Sequence, residues 1–141
     1  MTSFNLNSLL LFFVLTLAVR LVVSPIPTKT WHVHVVNNLS KVLFVHCKSG
    51  DDDLGEHNVT TGAEFAWKFK EHFFQRTLFW CYVSRPEGFC SSFDVFWNED
   101  SFLYRCNYKE CFWIVRDRGI YLKNIPEGYE EPRHKWNWPP C

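Results

Sequence analysis

The chain lacks a basic excess. Its 141 residues carry 15 Lys+Arg against 15 Asp+Glu, a formal net charge of zero. A general binder of nucleic acid or of anionic membranes gains affinity by releasing counterions from many Lys and Arg contacts. Neither partner is expected here. Catalytic signatures are missing too. There is no Gly-x-Ser-x-Gly, no His-Glu-x-x-His and no phosphate-cradling glycine loop. Scattered carboxylates without a cleft have no geometry for acid–base work. The expectation is a protein that is not an enzyme and needs no cofactor. No apolar run reaches the roughly 20 residues of a membrane-spanning helix, so no stable membrane insertion is expected. Internal repeats, long linkers and helical periods are absent after residue 30, and the length suits one domain.

What is abundant is apolar and aromatic: 47% hydrophobic residues and 18% aromatics. That supply can fill a single core and argues against disorder. The run Leu9 to Val19 (LLLFFVLTLAV) has the length of a signal-peptide core. Residues 1–24 therefore read as a secretory signal peptide, cleaved between Ser24 and Thr30. An uncleaved signal anchor is the alternative, disfavoured because Arg20 would be costly in lipid. The expected location is extracellular.

Export sets the reading of the six cysteines, Cys47, Cys81, Cys90, Cys106, Cys111 and Cys141, all of which follow the leader. An even number in a short secreted chain implies disulfides, and six cysteines allow 15 pairings. Metal binding fits poorly. Cys106-x4-Cys111 has no second matched pair, and the neighbours His46 and Cys47 point to opposite strand faces. No metal is expected. Two Asn-x-Ser/Thr sequons, at Asn38 and Asn58, suit the same compartment and are candidate glycosylation sites.

From residue 31 the apolar pattern has period two. Trp31, Val33 and Val35 alternate with His32 and His34. Leu43, Val45 and Cys47 share a face, as do Phe65, Trp67 and Phe69. Thr77 to Val83 is apolar on both faces and reads as a central strand. Phe93-Val95-Trp97, Phe102 to Cys106, Cys111-Trp113-Val115 and Ile120 to Leu122 complete the set. About eight short strands imply an all-β antiparallel β-sandwich over residues 31–125, disulfide-stabilised. Residues 126–141, rich in Pro, Trp and charge, are expected to be an irregular tail.

Asp51-Asp52-Asp53 is the one acidic run with a functional reading. Calcium would want Asp-x-Asp-x-Asp-Gly spacing, which is absent. A solvated loop whose side chains cap turn N–H groups is the plain alternative. Held at a strand end by Cys47, the same loop could serve as a rigid recognition element. His32 and His34 read as a solvent-facing pair. Alternation assigns most aromatics, Phe73 and Phe74 among them, to the core, with Trp80 and Trp97 the strongest candidates for exposure.

His46-Cys47-Lys48-Ser49-Gly50-Asp51-Asp52-Asp53-Leu54-Gly55 resembles the HCKSxDDDLG motif of the plant self-incompatibility S-protein homologues. Val33 to Leu39 resembles that family's opening strand and turn. Gly62 to Phe69 resembles its aromatic strand, Thr77 to Cys81 its second cysteine strand, and Phe93-Asp94-Val95 its FD strand. Arg105-Cys106, Cys111-Phe112-Trp113 and Asp117 to Ile120 follow in the family's order. The resemblance spans about residues 31–122. It implies a small secreted β-sandwich with two disulfides among Cys47, Cys81, Cys106 and Cys111. Antiparallel strand order suggests Cys47 with Cys111 and Cys81 with Cys106, leaving Cys90 with Cys141 by default. An immunoglobulin domain is the rival architecture, but Trp67 falls too far past Cys47 for its usual tryptophan. The resemblance further implies a ligand that binds a cell-surface receptor, in pollen rejection or related signalling; the chain itself is expected to be a monomer. The alternative is a secreted defence protein or inhibitor.

Overall fold

The computed structural model describes residues 5–22, 28–71 and 76–141. The leader run is one helix, α1 (Leu6–Val22). No described helix is long and apolar enough to cross a membrane. The expected cleavage window overlaps residues 23–27, and that part of it lies outside the described residues, as do Phe73 and Phe74.

The remainder is a sandwich of two sheets. In chain order its elements are β1 (Thr30–Asn37), β2 (Leu43–Ser49), β3 (Asp53–Val59), β4 (Glu64–Lys70), β5 (Phe79–Ser84), β6 (Cys90–Phe96), α2 (Asp100–Arg105), β7 (Glu110–Arg116), β8 (Gly119–Asn124) and β9 (Tyr129–His134). One sheet has five strands in the order β4-β1-β7-β8-β9, the other four in the order β3-β2-β5-β6. The all-β sandwich expected from period-two patterning is therefore the fold. Each strand sends alternate side chains inward, and those residues form the core: Trp31, Val33 and Val35 from β1, Leu43 and Val45 from β2, Trp113 and Val115 from β7, all at most 1% exposed. Trp113 joins the two sheets. Its indole donates to the Val95 carbonyl at 2.9 Å, and its ring lies 5.2 Å from that of Phe93. Burying a side chain of this size stabilises the fold by about 1.5–3 kcal/mol.

Four expectations need correction. The sheets are not wholly antiparallel, because β1 pairs with β7 in parallel, from His32 with Glu110 to Asn37 with Val115. Phe102 to Cys106 is not a strand but the short helix α2. Phe102 and Cys106, both fully buried, are one helical turn apart, so the helix also presents them on one side. Residues 126–141 are not irregular throughout, and the domain does not stop at residue 125, because Tyr129–His134 forms the edge strand β9, paired with β8. The Arg116 guanidinium grips Glu130 at 2.9 and 3.0 Å, and Arg105 Nε reaches Glu131 at 2.7 Å, which fixes β9 through its charges.

The fourth correction concerns the disulfides. The expected pairs Cys47–Cys111 and Cys81–Cys106 do not form. Cys47 bonds Cys81, Cys106 bonds Cys111, and Cys90 bonds Cys141. Register explains the first, since Cys47 and Cys81 are directly opposed on neighbouring strands with Cα atoms 4.0 Å apart. Helix α2 explains the second. After it, Asn107 and Tyr108 both turn left-handed (φ 51° and 52°) and fold Cys106 back to within 4.5 Å of the Cys111 Cα. Cys111 sits in the other sheet from Cys47, beside β1, and its sulfur is taken by Cys106, as that of Cys47 is by Cys81.

Candidate functional site

The strand registers sort the connections to two ends of the sandwich. At one end the loops are tied together. Arg85 reaches Asp117 at 3.0 Å and Glu87 at 3.4 Å, and Lys41 reaches Glu87 at 3.0 Å. The tail closes over this end. The Trp136 indole donates to the Arg116 carbonyl at 3.0 Å, the Asn137 N–H to the Cys90 carbonyl at 2.9 Å, and the Cys141 N–H to the Gly88 carbonyl at 2.9 Å. Of the two tail tryptophans, Trp136 packs back onto the core while Trp138 is 80% exposed.

The opposite end carries the β2–β3 turn. The turn is tight: Ser49 N–H donates to the Asp52 carbonyl at 2.8 Å, and Asp52 N–H to Ser49 Oγ at 3.0 Å. The three aspartates then divide their work. Asp53 is structural. Its Oδ1 accepts from the Gly55 N–H at 2.9 Å and meets His46 Nε2 at 2.7 Å. The Gly55 N–H first, and then His46, hold its carboxyl below the ordinary carboxylate range. The Asp51 and Asp52 carboxylates have no hydrogen-bond or salt-bridge partner among the described residues. Both line an open groove of about 270 Å³, together with Lys70, Arg76, Leu78 and Trp80. Acidic, basic and apolar side chains thus line one groove. Among the described residues no three metal-ligating side chains converge here or elsewhere.

Lys70, Arg76 and Leu78 were not legible as site residues, because nothing in their local spacing links them to the aspartate turn. The pairing of β2 with β5, Lys48 opposite Trp80 and Ser49 opposite Phe79, sets the segment Arg76 to Trp80 beside the turn, and Lys70 comes from the end of β4 in the other sheet. Trp80 is 36% exposed, whereas Trp97 is half-buried and stacks on Phe102 at 3.8 Å. His32 and His34 do lie on the outer face of β1, but His34 is not free. It stacks on Phe112 at 4.3 Å and sits between Glu64 at 3.0 Å and Glu110 at 3.3 Å. The two sequon asparagines, Asn38 and Asn58, are exposed.

The geometry is a rigid two-sheet frame with short cross-braced loops and an open groove at one end. The same frame is found in relatives. The profile of the family described as Plant self-incompatibility protein S1 matches residues 32–138. The chain belongs to that family. It is 40% identical to S-protein homolog 1 of Arabidopsis thaliana over 108 residues, covering 75% of this chain and 71% of the relative. It is 39% identical to S-protein homolog 74 of the same plant over 108 residues, with the same coverage. A solved structure of the fold, described as an SPH (Self-Incompatibility Protein Homologue) protein from a widespread family of small, highly stable, secreted plant proteins, superposes with a TM-score of 0.61. It is 21% identical and covers 78% of this chain and 96% of its own. The match reaches past the strands expected from sequence and includes β9 and most of the tail.

Proposed function

We propose that the protein is a secreted ligand that binds a cell-surface protein through the end of the sandwich carrying the β2–β3 turn. The observation that carries this reading is the pair of carboxylates Asp51 and Asp52, which have no partner among the described residues and line a groove together with Lys70 and Arg76. Charges on a short, braced turn can meet a partner's charges with little ordering cost. Export is supported by the apolar leader, by three disulfides that use every cysteine, and by the description of the solved relative as secreted. The action is recognition rather than turnover. The signalling context is pollen rejection or a related cell–cell exchange.

The test is the variant Asp51→Asn with Asp52→Asn. It should reduce binding to plant cell surfaces about tenfold, equivalent to about 1.4 kcal/mol, without moving the melting temperature. Unchanged binding would remove the turn from the interface.

A further inference from the structure

The outer face of the four-stranded sheet carries aromatics that the core does not use. Phe44 of β2 is half-buried there, and Trp80 and Tyr82 of β5 are 36% and 37% exposed. The Phe44 and Tyr82 rings meet edge to face with centroids 6.0 Å apart. Polar groups share the same face. Ser84 lies opposite Phe44, and Tyr82 lies opposite His46 on one side and Ser92 on the other. The register adds the decisive neighbour. Asn58 on the edge strand β3 is directly opposite Phe44, so both project outward, with Cβ atoms about 5 Å apart as cross-strand partners require. The Asn58 amide is exposed and makes no hydrogen bond to a described residue. It begins the sequon Asn58-Val59-Thr60.

We infer that Asn58 carries an N-linked glycan whose first sugars lie across this face, stacked on Phe44 and Tyr82. The inference rests on the export reading above. In the attachment, Asn58 Nδ2 bonds C1 of an N-acetylglucosamine as that carbon's bond to a lipid-pyrophosphate carrier breaks. The displaced pyrophosphate oxygen and one Nδ2 proton leave together. From the edge strand the glycan must leave either into solvent or inward over β2 and β5. The inward path offers the apolar faces of its sugar rings two aromatic rings, and offers their hydroxyl and acetamido groups Ser84, His46 and Ser92. Covering the rings removes apolar surface from water.

The experiment uses the full chain secreted from plant cells, with mass spectrometry to read occupancy at each sequon. Wild type and Phe44→Ser are compared before and after enzymatic removal of glycans, with Asn38→Gln in both backgrounds so that only Asn58 is modified. The expected results are an occupied Asn58, NMR contacts between its first sugar and the Phe44 and Tyr82 rings, and a melting temperature that falls about 3 °C on deglycosylation. In Phe44→Ser that fall should be much smaller. Secreted protein with an unmodified Asn58, or a modified Asn58 without ring contacts and with equal thermal shifts in both backgrounds, would overturn this inference while leaving export intact. Retention of the unglycosylated chain in the cytosol would bring down both. Binding of a soluble cell-wall glucan to the glycosylated protein, with quenching of Trp80 fluorescence, would give the face to an external sugar and also overturn it.

Discussion

Replacing the disulfides pairwise by alanine should expose how differently they contribute. Cys47–Cys81 closes a loop with a separation of 34 residues, and Cys106–Cys111 one of 5. Restricting the unfolded chain then contributes about 4 kcal/mol for the first bridge and about 2 kcal/mol for the second. All four sulfurs belong to fully buried residues, so the side-chain losses in Cys47→Ala/Cys81→Ala and Cys106→Ala/Cys111→Ala are similar and largely cancel in the comparison. The first variant should be less stable than the second by about 2 kcal/mol, close to 8 °C in melting temperature for a domain of this size. Equilibrium urea unfolding without reductant measures the difference directly, and non-reducing peptide mapping checks that the remaining bridges are native. Equal destabilisation, or a peptide joining Cys47 to Cys111, would refute the argument.

Two further perturbations probe the core and the edge strand. Trp113→Phe deletes the donor to the Val95 carbonyl and leaves a void between the sheets, which should cost about 2–4 kcal/mol and lower the urea midpoint at constant slope. His134, stacked on Phe93 at 4.9 Å, has its pKa lowered from 6.5, first by burial and then by Arg133. The unfolded chain therefore binds this proton more readily than the native one, so stability is full above pH 6.5 and declines as pH falls through 6.5 toward the lower native value. His134→Gln should flatten that decline in a pH series of urea midpoints, and an identical slope would show that His134 is not its source.

Strands whose apolar residues alternate were legible because a half-buried strand must alternate. Trp31 to Val35, Phe65 to Phe69 and Cys111 to Val115 are the plainest. The failures have separate physical causes. β3 begins in Asp53 and Gly55 and buries only Val59, so it reads as a turn. β9 contains Pro132 and five charged or titratable residues, a composition a sheet edge tolerates, and it is fixed by Arg105 and Arg116, which lie far from it in sequence. α2 is too short for a helical period to show, and Phe102, Tyr104 and Cys106 imitate a strand. The parallel pairing of β1 with β7 and the cysteine partners are matters of register between distant segments, which local pattern does not encode. The same limit governed the site. The aspartate turn stood out in the sequence, but the basic and apolar residues that share its groove, drawn from the end of β4 and from the segment Arg76 to Trp80 at the start of β5, and the aromatic face beside Asn58 exist only once the two sheets and the order β3-β2-β5 are in place.

Saturable binding of the purified, secreted protein to intact plant cells tests the ligand claim most directly. Labelled protein is displaced by unlabelled protein, on cells with and without prior mild protease treatment. The account predicts displaceable binding at or below micromolar concentration that is lost when surface proteins are trimmed. Failure to bind at that concentration, or binding indifferent to protease, would contradict it.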